Sequence, residues 1–275
     1  VHKVRAYRPL EWALPPRPVE REVISRLPDT ETGRPPLLFV HGMRHAAACF
    51  DEHWLRHAAE RGFPAHAVSL RGHGGSGGRD LLRRATLRDY VHDVIQTAVA
   101  LPRQPVLIGH SMGGLVVAMA LARYPALGGV LVAPVAVDHG LGSALALGRH
   151  GPLALLRGLA GRTVPLRPEW LFAQLDGDTA TRHMAGLGDE SPLAQYQMIL
   201  HGPPGRPLGG APVLVVGAGE DRLVPAGDVR RTARYYGTEP VFHRGFGHDL
   251  MLETRWREPL DQILSWVAEL PQVTR

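Results

Sequence analysis

Short apolar runs recur along the chain, bounded by glycine and proline and separated by longer stretches with helical spacing. Leu37-Leu38-Phe39-Val40, Pro105-Val106-Leu107-Ile108, Gly129-Val130-Leu131-Val132-Ala133 and Pro212-Val213-Leu214-Val215-Val216 are continuous rather than alternating. Such runs suit strands covered on both faces. Residues 19–27 alternate in part and predict an early, half-exposed strand, while residues 64–70 and 240–243 complete the set. Between the runs, a helical stretch spans about Phe50 to Arg61. Tyr90, Val91, Val94, Ile95, Ala98 and Val99 then recur at helical spacing behind Thr86-Leu87-Arg88-Asp89. That tetrapeptide reads as a capping box with Asp89 in place of the usual Glu or Gln. Arg255 to Leu270 reads as a closing amphipathic helix with Trp256, Leu260, Ile263, Leu264 and Val267 on one side.

Strands alternating with helices imply a mainly parallel sheet with helices on both faces. Residues 137–208 break the rhythm. They hold apolar helical pieces at 141–159, 170–173 and 193–200 and no convincing strand. They are expected to form a helical lid inserted between two sheet strands, leaving 1–136 and 209–275 as the core. Residues 1–18, rich in proline and arginine, are expected to form an irregular arm.

Composition narrows the classes. A chain of 275 residues with 44% hydrophobic and 21% charged positions suits one large α/β domain with an insertion. No run approaches the roughly 20 apolar residues of a membrane span. The start, Val1 to Tyr7, lacks a secretory core. The expectation is a cytoplasmic protein without stable membrane insertion. Cys49 is the single cysteine, which excludes an intrachain disulfide and a cysteine-based zinc site. Beside Phe50 it reads as a buried, inert thiol. The net charge of +5 is almost all arginine, since Lys3 is the only lysine. The arginines are scattered among acids without aromatic interleaving, which argues against a nucleic-acid partner.

The candidate chemistry centres on Gly109-His110-Ser111-Met112-Gly113. This G-x-S-x-G follows an apolar run and opens a helix-like run, the context of a nucleophile elbow. Glycines allow the close backbone approach that lifts Ser111 off the strand end. The Met112 N–H, at a helix start, would face an oxyanion. A serine hydroxyl needs a base, and the base needs an orienting acid. With an elbow the expected chain order is Ser, acid, His. Asp221, just past the run ending at Gly217, is the preferred acid, with Asp138 and Glu220 as rivals. His248, between Gly247 and the last helix, is the preferred base, and His243 reads as a packing residue. His41-Gly42-Met43 follows the first buried run, so the Met43 N–H is the second oxyanion donor. His41 reads as bonding backbone within that loop. Gly42, Arg44 and His110 are candidate substrate contacts. The glycine-rich segment 71–78 matches dinucleotide spacing at Gly72, Gly74 and Gly77. However, it leads into a polar stretch and lacks the phosphate-loop lysine, so a nucleotide reading is weak.

His41-Gly42, Arg71-Gly72-His73-Gly74-x-Ser76, Gly109 to Gly114, Gly219-x-Asp221-x-x-Val224-Pro225 and Gly247-His248 together resemble the α/β-hydrolase fold family. Among its members the chain looks most like lysophospholipase-like and monoacylglycerol-lipase-like serine hydrolases, from about residue 35 to the C-terminus. The resemblance implies attack by Ser111 on an acyl carbonyl, an acyl-enzyme, and hydrolysis by water activated through His248. The apolar lid suits a small or medium, apolar acyl ester as the small-molecule partner, and since the triad supplies nucleophile, base and electrostatics, no metal and no organic cofactor is expected. The same triad also serves thioesterases, lactonases, C–C hydrolases and acyltransferases, or a receptor with little turnover. A serine at the elbow argues against haloalkane dehalogenases and epoxide hydrolases.

Overall fold

The computed structural model describes residues 16–271, so most of the predicted N-terminal arm lies outside the described residues. Seven strands form one sheet: β1 (Val23–Arg26), β2 (Leu37–Val40), β3 (Ala65–Val68), β4 (Val106–His110), β5 (Gly128–Val132), β6 (Val213–Ala218) and β7 (Val241–His243). Their order is β1-β3-β2-β4-β5-β6-β7. β1 runs antiparallel to β3, and every other pairing is parallel.

The continuous apolar runs are now explained. Successive side chains of a strand point to opposite faces, and both faces here are covered. Leu37 and Phe39 enter a layer with Phe50, Trp54 and Ile263. Leu38 and Val40 enter the opposite layer with Tyr90, Val94 and Leu115. Helix Leu87–Ala100 starts at the expected capping box, with Thr86 Oγ1 accepting from Asp89 N–H and Asp89 Oδ2 from Thr86 N–H. The stretch read as one helix from Phe50 to Arg61 is two, Ala48–Asp51 and Trp54–Glu60. The backbone leaves the helical region at His53, and the bend lets Phe50 and Trp54 enter one layer with ring centroids 6.1 Å apart. The closing helix is Arg257–Ala268.

Between β5 and β6 the chain leaves the sheet and forms helices Leu141–His150, Pro152–Leu159, Pro168–Leu171, Gly177–Ala185 and Pro192–Leu200. No strand interrupts them among the described residues. Among those residues, no helix is long and apolar enough to cross a membrane.

Because β2, β4, β5, β6 and β7 are parallel, their C-terminal ends share one edge. The loops that leave this edge carry His41-Gly42-Met43, Ser111, Asp221 and His248.

Candidate active site

Ser111 sits between β4 and helix Met112–Leu121 at φ 55° and ψ −118°, a conformation L residues rarely adopt. Backbone contacts enforce it. Ser111 N–H donates to the Val132 carbonyl at 2.9 Å, and the Ser111 carbonyl accepts from Gly114 and Val135. The flanking glycines are steric necessities. A Cβ on Gly109 would lie 2.2 Å from the Gly113 oxygen, and one on Gly113 would lie 2.3 Å from the Val40 oxygen. A Cβ on Gly42 would meet Ser111 Cβ at 3.1 Å, so the turn after β2 runs against the elbow. Met112 opens its helix, where the first N–H groups have no intrahelical acceptor.

Asp221 and His248 come together. Asp221 Oδ2 accepts from His248 Nδ1 at 2.8 Å, with the side chains 2% and 4% exposed. Asp221 Oδ1 accepts the N–H groups of Leu223 and Val224, which fixes the carboxylate in its loop. Burial disfavours the His248 imidazolium, but the charge and hydrogen bond of Asp221 outweigh it, and its pKa is raised. The rival acid Asp138 faces elsewhere, bonding Arg231 Nε at 3.1 Å.

Ser111, Met43 and Val224 line a cavity of about 110 Å³, partly open to solvent. Leu147, Leu155, Leu159, Tyr196 and Ile199 of the insertion form much of its wall. Two of its polar side chains are engaged within the protein, while Ser143 Oγ has no hydrogen-bond partner among the described residues. Gln195 accepts from Val164 N–H and donates to the Arg162 carbonyl, and the Tyr196 hydroxyl donates to the Leu159 carbonyl. The space beside Ser111 is therefore shaped for an apolar group.

Two expected substrate contacts do not face this cavity. His110 is buried, and its Nε2 donates to the His248 carbonyl at 2.9 Å, so it braces the His248 loop. Burial and the neighbouring His248 drive its pKa down to about 3, which keeps it neutral. Arg44 turns away at φ 68° and donates through Nε to the Gly188 carbonyl at 2.7 Å and through Nη1 to the Val164 carbonyl. It tethers the insertion to the core. His41 bonds backbone as expected, with Nδ1 on the Gly42 carbonyl and Nε2 accepting from Leu70 N–H. Cys49 is half-buried, and desolvation with Asp249 nearby pushes its thiol pKa up. The glycine-rich loop carries no phosphate site. Glu22 occupies it, accepting from Gly75 N–H at 3.0 Å.

Among the buried carboxylates not singled out from the sequence, three lie on the loops around the site or on the insertion. Glu253 accepts from the N–H groups of Gly247, Ala173 and Gln174 and joins the base loop to the insertion. Glu190, on the insertion, accepts from the Tyr90 hydroxyl at 2.6 Å and lies 3.3 Å from His73 Nε2. Asp249 follows the base directly and meets His45 Nε2 at 3.0 Å. Donor atoms of His110, His248 and Asp249 lie within 4.8 Å of one another. His248 Nδ1 and His110 Nε2 already have protein acceptors, which leaves Asp249 Oδ1 without a hydrogen-bond partner among the described residues.

The chain belongs to the α/β hydrolase family, whose model matches residues 37–262. It is a hydrolase of the lipase and esterase type. A monoacylglycerol lipase of Mycolicibacterium smegmatis is 28% identical over 268 residues, covering 88% of this chain and 90% of the relative. The fold is similar to that of a Paleococcus ferrophilus monoacylglycerol lipase, with TM-score 0.65, 20% identity and coverage of 91% and 98%. It is also similar to an Exiguobacterium antarcticum esterase, with TM-score 0.69, 16% identity and coverage of 91% and 96%.

Proposed function

We propose that this protein hydrolyses an apolar carboxylic ester, with monoacylglycerols as the substrate class, through an acyl-enzyme on Ser111. The observation that carries the reading is the buried 2.8 Å Asp221–His248 pair beside an elbow serine that opens into an apolar cavity. In this mechanism His248 Nε2 takes the Ser111 proton as Oγ attacks the ester carbonyl carbon. Asp221 holds the Nδ1–H tautomer and stabilises the imidazolium that forms. The N–H groups of Met43 and Met112 receive the oxyanion, each such donor contributing about 3 kcal/mol in related chemistry. The imidazolium then protonates the leaving alkoxide. Water, deprotonated by the same His248, hydrolyses the acyl-enzyme. The helical insertion acts as a lid whose inner leucines hold the acyl chain. The monoacylglycerol assignment draws on the relatives so named.

The test is labelling with a fluorophosphonate probe, read by mass spectrometry, beside turnover of monoacylglycerols, p-nitrophenyl esters, lactones and thioesters. Ser111 is expected to carry the adduct in the parent protein. Ser111→Ala and His248→Ala are expected to lose about a thousandfold or more in kcat. An unlabelled, folded parent protein would overturn the serine mechanism. Labelling with turnover of lactones or thioesters alone would overturn the ester assignment.

A further inference from the structure

Asp249 is 0% exposed, yet only one of its carboxylate oxygens is hydrogen-bonded. Oδ2 meets His45 Nε2 at 3.0 Å, whereas Oδ1 has no hydrogen-bond partner among the described residues and lies 3.6 Å from His110 Nε2. Leaving a buried acceptor unpaired costs about 1–3 kcal/mol. A neutral side chain would avoid that cost, so the site calls for a reason to keep a charge there. The surroundings supply one. His45 follows the turn after β2 that carries Met43. His110 immediately precedes Ser111 and donates to the His248 carbonyl. Asp249 N–H donates to the Leu171 carbonyl, which fixes its own backbone. One carboxylate thus touches the oxyanion turn and the elbow while adjoining the base.

We propose that Asp249 is a positioning residue: its fixed negative charge holds the oxyanion turn, the elbow and the base loop in register and favours the His248 imidazolium that forms during acyl transfer. The charge is maintained. Burial disfavours it, but the charge and hydrogen bond of His45, followed by His110 and His248, outweigh burial and hold the Asp249 pKa down to about 2. The charged and titratable groups facing this assembly are His45 from the loop after β2, Cys49 from helix Ala48–Asp51, His110 at the end of β4 and Asp221 from the loop after β6. His110 remains neutral and Cys49 remains a thiol near neutral pH, so Asp221 and Asp249 are the anions acting on His248. Asp221 holds the ring from Nδ1. Asp249 acts through space and through the backbone brace of His110.

This inference rests on His248 being the base, and the test separates the two. Rates of fluorophosphonate labelling and p-nitrophenyl butyrate hydrolysis are measured against pH for the parent protein, Asp249→Asn and His45→Phe. Asp249→Asn keeps volume and an acceptor but removes charge. It is expected to lower kcat at least tenfold with little change in KM. Its acidic limb of kcat/KM is expected to move to lower pH by about half a unit or more. His45→Phe removes the group that does most to keep the carboxylate ionised. Its limb is expected to move the same way as that of Asp249→Asn, by no more than that variant's shift. A loss of rate with both limbs unmoved would show a structural role and overturn the proposal, as would a parent-like Asp249→Asn. If Asp249→Asn does not fold, the His45→Phe limb decides, since a downward move supports the proposal and a fixed or upward limb overturns it. Failure of the parent to label at Ser111 overturns this inference together with the serine mechanism.

Discussion

The sheet core and the helical insertion are built to different tolerances. At the core, backbone meets backbone. Gly113 packs on the Val40 and His41 carbonyls, Gly109 packs on Gly113, and β2 is fully buried. The insertion instead shows Leu145, Leu153, Leu156 and Leu159 to solvent at 55–75% exposure. From His139 to Pro168 it carries Arg149, Arg157, Arg162 and Arg167 without one Asp or Glu. It is joined to the core by a few polar ties, Arg44 to Gly188 and Val164, Glu190 to Tyr90 and His73, and Glu253 to Ala173 and Gln174. The contrast separates two jobs. Reacting atoms must be held to fractions of an ångström, which demands main-chain packing. The apolar acyl chain proposed as substrate needs only volume and low polarity, which repackable leucines supply.

The comparison breaks first at the glycines. Gly113→Ala is expected to destabilise the protein by more than about 3 kcal/mol, because its Cβ can be relieved only by moving β2 or the elbow. Denaturant unfolding and soluble yield check this, and a variant as stable as the parent would refute the packing argument. Next come the cavity walls. Leu155→Trp is expected to weaken kcat/KM for long acyl esters by about 10–200-fold while acetyl esters are nearly unaffected. Thermal melting should move little. Equal losses for short and long esters would mean that the insertion governs the reacting atoms as well.

The smallest effect concerns the tie between insertion and core. Burial disfavours both charges, but the Glu190–His73 pairing outweighs it, raising the His73 pKa and lowering that of Glu190. For His73, the raised native pKa gives a stabilisation complete below its ordinary 6.5 and lost as pH rises through the native value. For Glu190, the lowered native pKa gives a stabilisation present above its ordinary 4.5 and lost as pH falls through the native value. The tie is therefore fullest between 4.5 and 6.5. His73→Gln should flatten the alkaline decline of Tm by a few degrees, on the order of 1 kcal/mol. An unchanged Tm profile would show that the pair does not hold the insertion.

What the sequence discloses follows the same divide. Apolar runs, the capping box and the order Ser111, Asp221, His248 could be read because strand burial, helix capping and elbow geometry leave local signatures. Asp221 and His248 then meet in space. The break at His53 was not legible, because it serves ring packing between Phe50 and Trp54 rather than local propensity. Arg44 and His110 were read as substrate contacts from their neighbours, but their partners lie far along the chain. Arg44 meets Gly188, and His110 meets the His248 backbone. Asp249 looked like an ordinary loop acid for the same reason. Its partner His45 is 204 positions away, and no local window contains both.

The 138 positions between His110 and His248 also have a consequence in time. At a synthesis rate of 5–20 residues per second, roughly 7–28 s separate the making of the elbow from the making of His248. During that interval Ser111 lacks the proton acceptor proposed for it. The strand order compounds the delay, because β7 is last in the chain and lies at the far edge of the sheet. A chain cut short before Gly247 would lack His248, Asp249 and Glu253 together, so under the proposed mechanism premature termination would release a chemically silent product rather than an unregulated hydrolase.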